Sequence, residues 1–329
     1  MPSVKSRLVA LFLRHTRKKA FLSAGEMNRW IARARAREDH RPPPRLWHRL
    51  HVEERPVAGF PVYEVAPVAG HSRPMRILYL HGGAYVFEIT RYHWALIAEM
   101  AERLGARITV PIYPIAPEHT FHAMFGMVMR VYREMLNETA SRDIVFMGDS
   151  AGGNMAVVLA MMAAERGMDL PAAHVLISPG LDLSLQNPAV RDVEKTDPWL
   201  AIPGGLEAIR HYSAGLERID WRISPIFGNL AVLPRTLILT GTRDLLYPDT
   251  VRFAEKAAAQ GVDVELVVEP GMFHVWPLID MPEARRARDR IVAFLDGRGV
   301  SPAPSPGHAA EAGRRPTPVQ PALRTYRFP

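Results

Sequence analysis

The stretch that most constrains this chain is Ile-Val-Phe-Met-Gly-Asp-Ser-Ala-Gly-Gly-Asn, residues 144–154. An apolar run that reads as a strand meets Gly148-Asp149-Ser150-Ala151-Gly152, and an Ala/Met/Val/Leu-rich run that reads as a helix begins at once. A strand that turns into a helix so abruptly forces the residue at the turn into a strained backbone conformation. The positions two before and two after it are then crowded, and glycine relieves the crowding. Gly148 and Gly152 hold those positions. Ser150 is therefore expected to stand exposed at the carboxyl edge of a sheet, on the positive end of the following helix. Without a base nearby, the same residues would be only a glycine-rich turn around an inert serine.

The rest of the pattern agrees with a sheet of this kind. Residues 47–65 read as two strands turning near Val57-Ala58-Gly59, and further apolar strands are expected at 76–80, 107–112, 174–178, 236–240 and 262–268. Helical periodicity falls between them, at 91–104, 121–136, 251–260 and 284–295. Strands alternating with helices give an α/β fold, a mostly parallel eight-stranded sheet with helices on both faces. The polar excursion at about 181–219 is too long for a plain connection and is expected to join residues 1–50 as a helical cap. Residues 51–298 would then form the catalytic domain holding that insertion. Residues 299–329, rich in Pro, Ala, Arg and Gly without apolar period, read as a disordered tail.

The chain has no cysteine, which excludes disulfides, thiolate metal sites and cysteine nucleophiles. Its net charge of +7 belongs to the ends: residues 1–49 hold 13 lysines and arginines against Glu26, Glu38 and Asp39. The body is net negative, so nucleic acid is not an expected partner. The apolar run from Leu8 to Leu13 is too short for a signal peptide or a membrane span, and Arg14, Arg17, Lys18 and Lys19 follow it. A cytoplasmic location is expected. Val4, Leu8, Leu11 and Phe12 recur at helical spacing. They form either the packing face of a lid helix or a basic amphipathic helix that touches an anionic membrane surface.

A hydroxyl nucleophile needs a base, the base an orienting acid, and the oxyanion its donors. Asp244 follows the strand at 236–240, and His274 follows the strand at 262–268. Both therefore fall on the sheet edge where Ser150 is expected, the edge at which active sites of open α/β sheets form. Asp249 is the rival acid, although it lies near a helix start where a carboxylate serves the dipole. Asp149 adjoins the serine but points away from it at such a turn. His81-Gly82-Gly83 ends the strand at 76–80, so Gly82 and Gly83, with Ala151, are the expected oxyanion donors. His81 is expected to brace this loop. Tyr85, Phe87, Trp94 and Tyr212 fit a pocket wall and plain core packing equally well.

In combination, His81-Gly82-Gly83-Ala84, Gly148-Asp149-Ser150-Ala151-Gly152-Gly153, Tyr113-Pro114-Ile115-Ala116-Pro117-Glu118-His119, Asp244 with Asp249, and His274 with Trp276 resemble the hormone-sensitive-lipase-like esterases of the α/β-hydrolase superfamily. The resemblance spans about residues 52–295. It implies a serine carboxylesterase without cofactor or metal, acting on a small-molecule ester with a short to medium acyl chain under a helical cap. It places the catalytic roles on Ser150, Asp244 and His274 and the oxyanion donors on Gly82, Gly83 and Ala151, and it implies homodimers paired through the last strand. Two positions depart from the family pattern: Ala84 replaces a third glycine, which narrows the alcohol side of the pocket, and His122 replaces a proline. The Gly271–Pro277 stretch is similar to the branch with lactone hydrolases and steryl-acetate deacetylases, the alternative activities on this triad. Some relatives bind ligands after losing the catalytic histidine; His274 argues against that role here.

Overall fold

The computed structural model describes residues 2–37, 39–70, 73–297 and 324–327. Its sheet is built from β1 (Leu50–Val57), β2 (Phe60–Pro67), β3 (Arg76–Leu80), β4 (Arg107–Pro111), β5 (Ile144–Asp149), β6 (Ala173–Ile177), β7 (Arg235–Gly241), β8 (Val264–Glu269) and β9 (Arg324–Arg327). The spatial order is β1-β2-β4-β3-β5-β6-β7-β8-β9. The strands from β4 to β8 in that order are parallel, while β1, β2 and β9 pair antiparallel at the margins. Alternate residues of β5 show why both faces are covered. Val145 and Met147 pack on one side with α3 (Arg91–Leu104) and α9 (Pro282–Leu295). Phe146 packs on the other with α4 (Phe121–Glu138), α5 (Ala151–Glu165) and α8 (Tyr247–Ala259). A two-sided core of this kind requires strands that read as continuous apolar runs.

The sheet has one strand more than the eight expected. The tail read as disordered contributes β9, whereas residues 298–323 and 328–329 lie outside the described residues. β9 covers the open edge of β8 from Glu265 to Val268, the edge through which dimer pairing was expected. Its alternating Arg324, Thr325, Tyr326 and Arg327 carry too little apolar character to reveal a strand, and only the unpaired edge of β8 supplies the reason for one.

The excursion holds α6 (Pro188–Glu194) and α7 (Ile202–Tyr212), and α2 (Ala24–Arg35) packs on α7. Asn28 Nδ2 donates to Glu207 Oε1 at 2.8 Å, and Lys18 Nζ donates to the carbonyls of Glu194 and Asp197. A side chain at Gly204 would meet Phe21 Cα at 2.4 Å, so the two backbones touch there. α1 (Val4–His15) behaves differently. It rests on the body, with Ser3 and Ser6 bonded to Glu283 at the start of α9. Its packed face is Ser6, Ala10 and Leu13, where the small Ser6 and Ala10 permit close approach and Leu13 supplies the apolar contact. Val4, Leu8, Leu11 and Phe12 are each more than half exposed, so the stripe is not the packing face of a lid. Among the described residues no helix is long and apolar enough to cross a membrane.

Candidate active site

Ser150 stands between β5 and α5 with φ +52° and ψ −117°, a strained conformation held by its N–H to Ile177 O at 2.8 Å. A Cβ at Gly148 would lie 2.5 Å from Gly152 O, and one at Gly152 would lie 1.9 Å from Leu80 O. Those contacts are the crowding that the turn imposes. Ser178 (+46°), Val275 (+47°), Ala84 (+52°) and Tyr85 (+65°) also have positive φ. Strain in non-glycine residues thus concentrates around this serine, where the packed surroundings can hold it.

His274 Nε2 lies 2.9 Å from Ser150 Oγ, and His274 Nδ1 lies 3.1 Å from both carboxylate oxygens of Asp244. The carboxylate fixes the proton on Nδ1, which leaves Nε2 to accept from the serine. Asp244 is fully buried, and Leu246 N–H steadies its Oδ1 at 3.0 Å. The loop after His274 is tied by Val275 N–H to Ser178 Oγ at 3.0 Å. Burial works against a charged imidazole here, but the Asp244 carboxylate overcomes it and raises the His274 pKa above 6.5. The rival acids are engaged elsewhere. Asp249 accepts from Asn187 and Arg252, and Asp149 from Tyr79, His93 and Gly82.

The oxyanion loop corrects the reading of Gly82. Its N–H donates to Asp149 Oδ1 at 3.1 Å and is not available to a substrate. A Cβ at Gly82 would sit 2.3 Å from Asp149 Oδ2, so the glycine serves this close approach. Gly83, at φ +126°, then turns the chain. Among the described residues the N–H groups of Gly83 and Ala84 make no hydrogen bond, and Ala84 lines the same cleft as Ser150 and Ala151. The departure at Ala84 therefore affects a side chain and leaves a donor in place. His81 braces the loop as expected: it stacks on Tyr113 at 4.3 Å, and Tyr113 Oη donates to its carbonyl at 2.5 Å. Burial pushes its imidazole down to about 3, which keeps it neutral. Arg35 of α2 reaches the same region through the carbonyls of Val86 and Ala116.

A cleft open to solvent lies above Ser150. Phe21, Leu183, Leu200, Ile209 and Leu246 contribute to its walls, and among the described residues no charged side chain lines it. Tyr85 is also in the wall and stacks on Tyr212 at 3.7 Å, whereas Trp94 packs edge-on to Tyr63 in the core. Asp197 was not singled out by the sequence. It is buried in the 181–219 excursion, and its Oδ2 accepts from Leu245 N–H at 2.6 Å. The turn-forming Asp-Pro-Trp at 197–199 was the available signal. Among the described residues no group of three or more histidines and carboxylates has metal-binding geometry.

A family model described as the alpha/beta hydrolase fold matches residues 77–278. An esterase from Acinetobacter venetianus is 32% identical over 249 residues, covering 74% of this chain and 82% of that protein. An acetyl-hydrolase from Streptomyces hygroscopicus is 32% identical over 251 residues, covering 72% and 83%. The crystal structure of an esterase from the bacterial hormone-sensitive lipase family superposes with a TM-score of 0.78 at 26% identity, covering 91% of this chain and 99% of that one. With the fold, the relatives and the serine–histidine–aspartate geometry in agreement, this chain belongs to the hormone-sensitive-lipase-like serine esterases of the α/β-hydrolase family.

Proposed function

We propose that the protein hydrolyses carboxylic esters with short to medium acyl chains through an acyl-enzyme on Ser150. The observation that carries this reading is the unbroken line from Ser150 Oγ to His274 Nε2 at 2.9 Å and from His274 Nδ1 to Asp244 at 3.1 Å, beneath an apolar cleft. His274 takes the serine proton as Oγ attacks the ester carbonyl, and Asp244 stabilises the imidazolium that forms. The N–H groups of Gly83, Ala84 and Ala151 receive the oxyanion. The imidazolium returns its proton to the leaving alcohol, and a water deprotonated by the same nitrogen then releases the acid. Walls without charge suit an alkyl chain better than an acidic or basic one. The test is hydrolysis of p-nitrophenyl esters from acetate to palmitate, beside a small lactone. Turnover peaking at short or medium chains supports the reading, and no turnover by the folded protein overturns it.

The exposed face of α1 supports a further part of the reading, that the enzyme works against an anionic lipid surface. Val4, Leu8, Leu11 and Phe12 project together, Leu22 is exposed beyond them, and Arg7, Arg14, Arg17 and Lys19 supply positive charge. The same segment runs into Phe21 in the cleft wall, so docking brings the cleft to the lipid. Cosedimentation with phosphatidylglycerol-containing vesicles should exceed that with phosphatidylcholine alone and fall in a Leu8→Ser/Phe12→Ser variant. Equal, weak binding to both vesicles overturns it.

A further inference from the structure

We infer that Asp197, carried by the cap, is a positioning residue that sets the geometry and charge around the Asp244–His274 pair, an inference whose kinetic arm rests on the esterase reading. Residues 196–200, Thr-Asp-Pro-Trp-Leu, connect α6 to α7. Asp197 Oδ1 accepts from Trp199 N–H at 2.6 Å and Leu200 N–H at 2.9 Å, which folds its own turn. Its Oδ2 takes Leu245 N–H at 2.6 Å, immediately after Asp244 in the chain. On the other side of Asp244, Arg243 donates to Thr196 O through Nε at 3.1 Å and Nη2 at 2.9 Å. Both chain neighbours of the acid are thereby fastened to the same two residues of the cap. Trp199 completes the bracket, its ring lying edge-on to the His274 imidazole at 5.9 Å and 88°.

Capping that turn alone does not require a carboxylate. Asparagine or serine satisfies two amides without a buried charge. The third amide belongs to the acid loop, and the charge has a partner within reach. Burial pushes the Asp197 carboxyl up to about 6, the Asp244 charge adds to the push, and the His274 imidazole opposes it. The charged groups around it are Asp244 and His274 on the loops after β7 and β8, Lys18 on its own carbonyl, Arg243 on the Thr196 carbonyl, and Glu194 one helix turn back. Asp149 acts on His274 from beyond Ser150. A second carboxylate on this side favours the imidazolium that forms when Ser150 gives up its proton.

The test compares wild type with Asp197→Asn and Asp197→Ser. Both replacements keep an acceptor for Trp199 and Leu200 and withdraw the charge and the Leu245 contact; if the asparagine protein fails to fold, the smaller serine carries the test. Nitrogen-15 NMR titration of labelled histidine reads the His274 pKa directly, its signal identified by loss in His274→Gln. The pKa should fall by about 0.5 to 1 unit. For p-nitrophenyl acetate, kcat should fall roughly 10- to 100-fold with KM within about threefold. A folded variant with unchanged pKa and kcat, or with a change in KM alone, overturns the inference and leaves Asp197 a turn cap. If the wild type hydrolyses no ester, the esterase reading fails while the titration still decides Asp197.

Discussion

Replacing Asp149 by asparagine removes one oxygen from a carboxylate that three donors share, and the structure dictates the consequence. Oδ1 accepts from Tyr79 Oη at 2.7 Å and Gly82 N at 3.1 Å, and Oδ2 from His93 Nε2 at 3.2 Å. Thr90 N–H donates to His93 Nδ1 at 2.9 Å, so the imidazole proton sits on Nε2. An asparagine that keeps its oxygen toward Tyr79 and Gly82 turns its amide hydrogens against that Nε2–H. Reversing the imidazole tautomer lets Nδ1–H donate to Thr90 Oγ1 at 2.9 Å but leaves the Thr90 N–H without its acceptor, and flipping the amide releases Gly82. In every arrangement a donor loses its acceptor, at about 1–3 kcal/mol for the buried Gly82 or His93 group and less for the exposed Thr90 N–H, and the surviving bonds lose their charge assistance at about 1 kcal/mol. Asp149→Asn should therefore unfold about 4–8 °C below wild type by scanning calorimetry. Gly82 is also the anchor from which Gly83 and Ala84 are presented, so kcat for p-nitrophenyl acetate should fall roughly 10- to 100-fold with little change in KM. A variant with wild-type melting temperature and kcat would refute the reasoning.

Because His274 must be neutral to act as a base and its pKa is raised, kcat/KM should fall as pH drops through a midpoint above 6.5. Asp244→Asn should lower kcat by roughly 10³ to 10⁴ and move that midpoint down, whereas Asp249→Asn should do neither; pH–rate profiles of the three proteins check this. His174 on β6 is buried beside Phe146, and burial pushes its imidazole down to about 3 from 6.5. The unfolded chain then binds its proton first, so stability is lost as pH falls below 6.5, by about 2 kcal/mol between pH 7 and 5. His174→Leu should lose less in melting temperature over that interval than wild type does, and an equal loss would contradict the assignment. Deleting residues 298–329 uncovers the β8 edge and should produce concentration-dependent self-association in size-exclusion chromatography.

What could be read in the sequence was what depends on local crowding or on position along a strand. Gly148 and Gly152 mark the turn because no side chain fits there. Asp244 and His274 could be found because each directly follows a strand, and parallel strands deliver their carboxyl ends to one edge. Which two of the three N–H groups from Gly82 to Ala84 are left unbonded depends instead on a long-range bond, from Gly82 to Asp149, so the sequence points to Gly82 where Ala84 carries the free donor. Helical spacing on α1 identified an apolar stripe without indicating that Ser6 and Ala10 form the packed side. Asp197 meets Leu245 across 48 residues, and no periodicity reports such a contact.

The central claim is that Ser150 forms a covalent acyl intermediate whose formation depends on His274. Intact-mass spectrometry after rapid mixing with p-nitrophenyl acetate, followed by peptide mapping, tests it most directly. One acetyl group on the peptide containing Ser150 is predicted, appearing with a burst of p-nitrophenol, absent in Ser150→Ala and slowed at least about 10³-fold in His274→Ala. Turnover that persists in Ser150→Ala, or an acetyl group on any other residue, would contradict the account.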